Sequence, residues 1–459
     1  MAEKAVKKKK TKKKKHLIGP KEFLFNFLSL VCMIGVGIYF GYRSLYYYSK
    51  QNQKLVEEAQ TLNGLVTQNT PIVYNEEVGL HHDSLGYYYR GNVTNNYVSF
   101  GNQLFRIMRI GEDNSVKLVS ENYVGVFPWG NDSSFLNSNV YAWLNKTDWV
   151  HSGFYYNTLP KAQDYLVKTD YQINVLKDGK TNPLDEKYSD YISLLNVSDY
   201  ILADGVNSYL FNKQYFFLLG YDENNQILHV EDDGSIQSGD ATEGYGVRPV
   251  ITMKPNTVVS KGIGTLEDPY VISIDKNPTF YGSYVKMGDD LWRVFYQDDK
   301  FLKLSLNSYL TINGEEIARK YSQNDSIYDI ISAANIGYYL NKNYLNNLAY
   351  KDYLLPFPSF VGEISEDQGY IYANIFNTEV NAVVGLLNIF DPIVNISLED
   401  YFHVNNTSSF GGMQYIRTSN GLLAEADVSE NKHIVPVVCI EQSHIVGGNG
   451  TLEDPYVVG

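Results

Sequence analysis

The chain has 459 residues, 38 basic and 52 acidic, for a net charge of −14, with only two cysteines and 40 tyrosines. That length suits two or three domains. The acid excess beyond the N-terminus excludes a phosphate-backbone partner, and two cysteines exclude a disulfide-stapled exterior.

The first 22 residues form a basic tail. They hold ten of the 38 basic residues and two of the 52 acidic ones, leaving 28 against 50 and a charge near −22 for the rest. Residues 23–42 follow as an uncharged run from Phe23 to Tyr42, interrupted only by Asn26. Twenty apolar residues span roughly 30 Å of hydrocarbon as a helix. The lysines precede this span, so the positive-inside rule predicts a single-pass membrane protein with a cytoplasmic N-terminus and its bulk outside. The tail lysines also suit contact with anionic lipid. A cleaved signal peptide is the competing reading, but Gly41-Tyr42-Arg43-Ser44 makes a poor cleavage site.

Residues 43–82 read as a helical stalk or linker. Leu55, Ala59, Leu62 and Val66 share one helix face, which suggests self-association through residues 45–68 or a plain tether. His81-His82-Asp83 reads as solvated linker rather than a metal site, because adjacent histidines diverge on most backbones.

Beyond the stalk the chain writes one pattern twice. Gly262-Ile-Gly-Thr-Leu-Glu-Asp-Pro-Tyr-Val271 returns as Gly448-Asn-Gly-Thr-Leu-Glu-Asp-Pro-Tyr-Val457. Tyr97-Val98-x-x-Gly101-x-x-Leu104-Phe105-Arg106-Ile107 is echoed by Tyr284-Val285-x-x-Gly288-x-x-Leu291-Trp292-Arg293-Val294. The two spacings, 186 and 187 positions, predict tandem repeated domains at 83–275 and 276–459. Both read as α+β, β-dominated.

In the first repeat, Tyr97–Phe100, Leu104–Ile110 and Val116–Val119 read as a meander, with turns at Gly101-Asn102 and Glu112–Asn114. Residues 139–145 read as a helix burying Val140 and Leu144. Residues 191–198 read as a buried strand ending in Asp199-Tyr200, and a hairpin spans Tyr215 to Ile236. Gly246-Val-Arg-Pro-Val-Ile-Thr252 reads as a closing strand. In the second repeat Leu386-Leu387-Asn388 matches Leu194-Leu195-Asn196, and Asp391 matches Asp199. Val435-Pro436 stands where Arg248-Pro249 stood, so the second copy has diverged.

No Gly-x-Ser-x-Gly, His-Glu-x-x-His, Cys-x-x-Cys or Walker pattern occurs, so no catalytic residue is assigned. Cys439 lies in an apolar run and reads as a buried small residue. Ligand-binding candidates are Trp129, Asn131, Asp132 and Trp143, with Trp149 nearby, because aromatics beside polar groups suit sugars; Arg248 joins them. Core packing is the alternative for the tryptophans. Asp222, Asn224, Asp232 and Asp233 lie in acidic turns whose hard oxygens suit Ca²⁺, although ordinary turn chemistry accounts for them equally. No other cofactor is expected.

These signatures resemble a repeat family of exported surface proteins from Firmicutes and Mollicutes, whose pattern runs Tyr-Val-x-x-Gly-x-x-Leu-Trp-Arg-Ile, then Val-Arg-Pro-Val-Ile, then Gly-x-Gly-Thr-x-Glu-Asp-Pro-Tyr-Val-Ile. Their ordering is also similar to the C-type-lectin-like fold shared with formylglycine-generating enzymes, at the level of fold alone. The resemblance implies a bacterial envelope protein and no particular reaction. The expected function is a membrane-anchored surface protein binding a glycan, a cell-wall polymer or another surface protein. The alternatives are a scaffolding subunit of a membrane assembly and, behind it, an envelope-polymer hydrolase.

Overall fold

The computed structural model describes residues 19–459 except 147–153, 155–157, 160–161, 273–279, 324–326, 362–378, 407–412 and 418–419. The chain divides into two compact units, 1–59 and 60–459.

In the first unit one helix runs Pro20–Ala59, about 60 Å at 1.5 Å per residue. Proline suits its first position, where no backbone N–H is needed. Phe27–Lys50, 24 residues of mean hydropathy 1.4 with no buried residue, is long and apolar enough to cross a membrane. A signal sequence meets the same criteria.

The second unit is β-rich. It begins with a short helix, Leu62–Asn69, whose first turn is capped by Thr61 Oγ1 accepting from the Gly64 amide at 3.3 Å. Leu62 and Val66 are fully buried in the core of this unit. Gln60 and Leu62 are tied to Val259 and Thr257 by backbone hydrogen bonds. Residues 60–82 are therefore part of the folded body and not stalk, and Leu62 and Val66 offer no exposed seam for self-association. His81-His82-Asp83 is likewise not linker. It lies in the strand Gly79–Asp83, paired with Gly86–Arg90, and His81 is buried and stacked on Tyr88.

The largest sheet runs Val259–Lys261, Tyr270–Ile272, Tyr97–Phe100, Gln103–Gly111, Val116–Ser120, Pro249–Met253, Ile192–Leu194, with the Gly79–Arg90 hairpin set against Gln103–Gly111. A sheet in the C-terminal half runs Ile445–Gly447, Tyr456–Val458, Tyr284–Met287, Asp290–Gln297, Phe301–Leu306, Pro436–Glu441, Val384–Leu386. The two paths visit their strands in the same order. In each, the chain-late strand joins the meander in parallel, Tyr270 opposite Val98 and Tyr456 opposite Val285. In each, a glycine turn supplies the carbonyl that receives the first tyrosine amide: Tyr97 donates to Gly264 and Tyr284 to Gly450, both at 2.8 Å.

The expected meander and the helix Asn139–Asn145 are present. Two expectations fail locally. Asp199-Tyr200 does not end a strand. The strand stops at Leu194, and Asn196 caps a helix Val197–Leu202 by accepting from the Ser198 amide. Residues 246–252 are not one strand either. Gly244–Val247 belongs to a second sheet, beside Phe216–Asp222 and Gly125–Pro128, whereas Pro249–Met253 belongs to the first. Arg248 sits at the crossing, and Pro249, which lacks an N–H, suits a strand's first residue.

Candidate functional site

The tryptophans chosen for sugar stacking are in the core. Trp129 and Trp143 expose 0% of their surface. Trp129 packs on Phe135 and Phe217, with centroids 5.5 and 5.2 Å away. Trp143 packs on Phe127 and donates from Nε1 to the Phe390 carbonyl at 2.8 Å. Neither presents a ring face to a ligand, so the packing alternative describes them. Asn131 and Asp132 are exposed in the following turn, where Asp132 Oδ1 accepts the Ser134 amide at 2.8 Å. Trp149 lies outside the described residues.

Arg248 is also fully buried. Its Nε and Nη2 both donate to the Ser120 carbonyl, at 3.1 and 3.0 Å, and its Nη1 donates to the Leu210 carbonyl at 2.5 Å. The guanidinium lies 4.6 Å from the Phe216 ring centroid, and burial lowers its pKa to about 10. It ties loop carbonyls to the point where the chain changes sheets, and presents nothing to solvent.

The acidic turns do not converge. Asp222 and Asn224 lie at one end of the strand Ile227–Val230, Asp232 and Asp233 at the other. Asp222 Oδ1 accepts the Asn224 and Gln226 amides, each at 2.8 Å, and Asp233 Oδ1 accepts the Ser235 amide. Asp232 accepts from Asn420 Nδ2 at 3.1 Å. The Asp222 and Asp233 bonds close their own turns, whereas the Asp232 bond ties its turn to a distant segment. Among the described residues no three His, Cys, Asp or Glu side chains gather as a metal site.

The structure points instead to the C-terminal sheet. Strand alternation in Phe301–Leu306 buries Leu302, Leu304 and Leu306 on one face, with Val438 and Ile440 of the neighbouring strand. The opposite face carries Phe301 and Lys303 beside Cys439, which is the direct cross-strand partner of Lys303. Phe295 of the adjoining strand shares this second face, and Phe357, Leu387 and Tyr401 pack on it. A cavity of about 510 Å³ opens there, lined by Tyr296, Lys303, Phe357, Phe360, Cys439 and Glu441 among others. Its size falls in the usual range for small-ligand sites.

The charges of this pocket are unequally satisfied. At the rim Lys300 pairs with Glu441 at 3.4 Å. Asp298 Oδ1 accepts the amides of Lys300 and Phe301, at 2.8 and 2.7 Å. The Lys303 side chain, by contrast, has no hydrogen bond or ion pair among the described residues. Its Nζ lies 5.1 Å from the Tyr296 ring centroid and 5.4 Å from that of Phe357. Such contacts favour a cation only modestly. Burial lowers the Lys303 pKa, with Asp391, Cys439 and Asp298 opposing. Burial also pushes the Cys439 thiol up to about 11, so it is protonated and a poor nucleophile at neutral pH.

Asp391 borders a much smaller cavity on the other side of Phe357, which Lys303 also lines. Burial pushes the Asp391 carboxyl up to about 6, with Lys303 pulling it back down. The N-terminal sheet has a corresponding pair that is closed: Lys117 Nζ and Asp199 Oδ2 meet at 2.6 Å. Sequence reasoning matched Asp199 with Asp391 but passed over the lysines. The signal was present, since Lys117 and Lys303 occupy the same place in the third meander strand.

Comparison with protein-family models, curated proteins and solved structures finds no match to this chain.

Proposed function

We propose that this chain is a membrane-anchored binding protein of a bacterial envelope, its N-terminus cytoplasmic and its body, two copies of one β-dominated domain, outside. The lysine-rich tail before the Phe27–Lys50 span supports the orientation. The shared strand order of the two sheets, with the sequence echoes that fall on matching strands, supports the duplication. A C-type-lectin-like relation stays with the sequence resemblance alone.

The observation that carries the binding reading is the pocket on the second face of the C-terminal sheet, aromatic-walled with Lys303 at its side and Lys300 at its rim. The ligand is a glycan, a cell-wall polymer or a segment of another surface protein. Acyl-transfer and thiol chemistry lack support here, because Cys439 is buried and protonated at neutral pH and has no hydrogen-bonded base among the described residues.

The test is an array of glycans, wall polymers and surface proteins probed with the full chain in nanodiscs. Saturable binding that Phe357→Ala weakens at least tenfold, measured at a temperature where the variant is still folded, is the expected result. Failure to bind any component, or binding indifferent to Phe357→Ala, removes the pocket-based reading.

A further inference from the structure

We infer that the pocket on the second face of the C-terminal sheet selects an acidic ligand, whose single anionic oxygen group, a carboxylate or a phosphate, meets Lys303 while its apolar or planar body lies against Phe357 and Tyr296. This rests on the binding reading above and names the chemistry of that site.

Most charges of the pocket are already satisfied. Among the charged residues lining it, Glu441 has Lys300 and Asp298 has two backbone amides. The Lys303 ammonium has two ring faces and no hydrogen bond or ion pair among the described residues; Asp391 attracts it only from outside ion-pair distance. The aromatic faces hold the ammonium without neutralising it, so an anion entering the pocket gains the interaction the fold leaves open. An entering cation would meet acids that are already engaged.

The comparison within the molecule points the same way. In the N-terminal sheet the equivalent Lys117 is closed onto Asp199 at 2.6 Å. In the C-terminal sheet Asp391 instead borders the adjoining small cavity, where its Oδ2 accepts the Asn388 amide at 2.8 Å. The same strand position thus makes no direct ion pair on the side where a ligand-sized cavity opens. The cross-strand neighbour is Cys439, a small, protonated, weakly polar group, and the pocket's other lysine, Lys300, is already paired with Glu441.

The body of the ligand follows from the walls. Tyr296, Phe301, Leu355, Pro356, Phe357 and Phe360 line most of the rest. Such walls take an acyl chain, an aromatic ring or the apolar face of a sugar.

The experiment uses the full chain in nanodiscs with fluorine-labelled probes followed by ¹⁹F NMR, empty nanodiscs serving as the partition control. The probes are 4-(trifluoromethyl)phenylacetate, 4-(trifluoromethyl)phenyl phosphate, the neutral 4-(trifluoromethyl)phenylacetamide and the cationic 4-(trifluoromethyl)benzylamine. The expected result is that one or both anions bind at least about tenfold more tightly than the amide, the size of a charge-assisted hydrogen bond. Lys303→Met should remove that preference and Lys303→Arg should keep it. Carboxylate against phosphate tells which acid the site prefers. Equal binding of acid and amide, preferential binding of the amine, or binding of none overturns the inference. Because acid and amide are compared on the unaltered protein, the result does not depend on any variant folding. Array binding that is sensitive to Phe357→Ala without anion preference would retain the binding reading and discard the acidic ligand.

Discussion

Trp143 and Phe390 stand 247 positions apart in the chain, yet the indole Nε1 of one donates to the backbone carbonyl of the other at 2.8 Å. Phe127 lies between their rings, 5.3 Å from Trp143 and 4.7 Å from Phe390. The N-terminal core thus includes a residue from the C-terminal half. Trp143→Phe keeps an aromatic ring but removes this hydrogen bond and leaves part of the indole's packed volume empty, which costs about 1–3 kcal/mol. Chemical denaturation of the full chain should show that loss, in a transition that moves near-ultraviolet signals from both halves together. A signal from the C-terminal half that ignores Trp143→Phe would show the halves to be energetically separate.

The glycine turns give a paired prediction. Gly262 has φ +101°, and an added Cβ would lie 1.8 Å from the Pro269 carbonyl oxygen; at Gly448, φ is +85° and the distance to the Pro455 oxygen is 2.0 Å. Alanine at either position must break the turn that feeds Tyr97 or Tyr284 its hydrogen bond. Gly179 also has positive φ, +71°, but nothing lies within 4 Å of its Cβ position. Gly179→Ala should therefore cost about 1–2 kcal/mol from backbone strain alone, and Gly262→Ala and Gly448→Ala clearly more. Equal melting temperatures for the three variants would contradict the clash.

Arg248 anchors two carbonyls at the point where the chain leaves one sheet for the other. Lysine cannot reproduce its planar fork. Arg248→Lys should cost at least about 2 kcal/mol in stability and leave any ligand affinity of the folded protein unchanged. A weakened affinity at unchanged stability would return Arg248 to the ligand site.

The parts that were legible in the sequence are those fixed by neighbours in sequence. The hairpin Tyr97 to Ile110 follows from alternation and from Gly101-Asn102, both at φ +59°. The duplicated Glu-Asp-Pro-Tyr turns follow from identity of spacing. What escaped depends on partners far along the chain. Leu62 and Val66 make the same helical stripe whether the partner is another copy or the protein's own sheet. The Val-Arg-Pro-Val run reads as one strand, because nothing local marks a change of sheet. Lys303 looks like the solvent-facing position of an alternating strand until Phe357–Phe360, more than fifty positions later, covers that face.

That reassignment of the stalk is itself testable. Leu62→Ala opens a hole in a fully packed site and should destabilise the 60–459 body by about 2–5 kcal/mol. Leu45→Ala, on the exposed helix, should leave thermal stability of that body unchanged. Loss of self-association by Leu62→Ala at full stability would favour the coiled-coil seam instead.

Asp391 predicts a pH signature. Its carboxyl is raised by burial from 3.8 to about 6, so the folded state favours the protonated form. The stabilisation linked to this proton is complete below the unfolded value and is lost as pH rises through about 6. A shift of that size corresponds to on the order of 1–3 kcal/mol at pH 7. Asn can keep an oxygen that accepts the Asn388 amide and carries no charge. Asp391→Asn should therefore stabilise the protein at pH 7–8 and do little at pH 4. Lys303 has its pKa lowered by burial, so its own contribution rises with pH, opposite in sign to that of Asp391. The Asp391 effect is separable because it falls between about pH 4 and 6. Should Asp391→Asn destabilise more at pH 7 than at pH 4, the ionised carboxylate must be stabilising Lys303 across the wall between the two cavities. The pocket lysine would then be half-neutralised from behind, and the anion preference of the pocket would shrink with it.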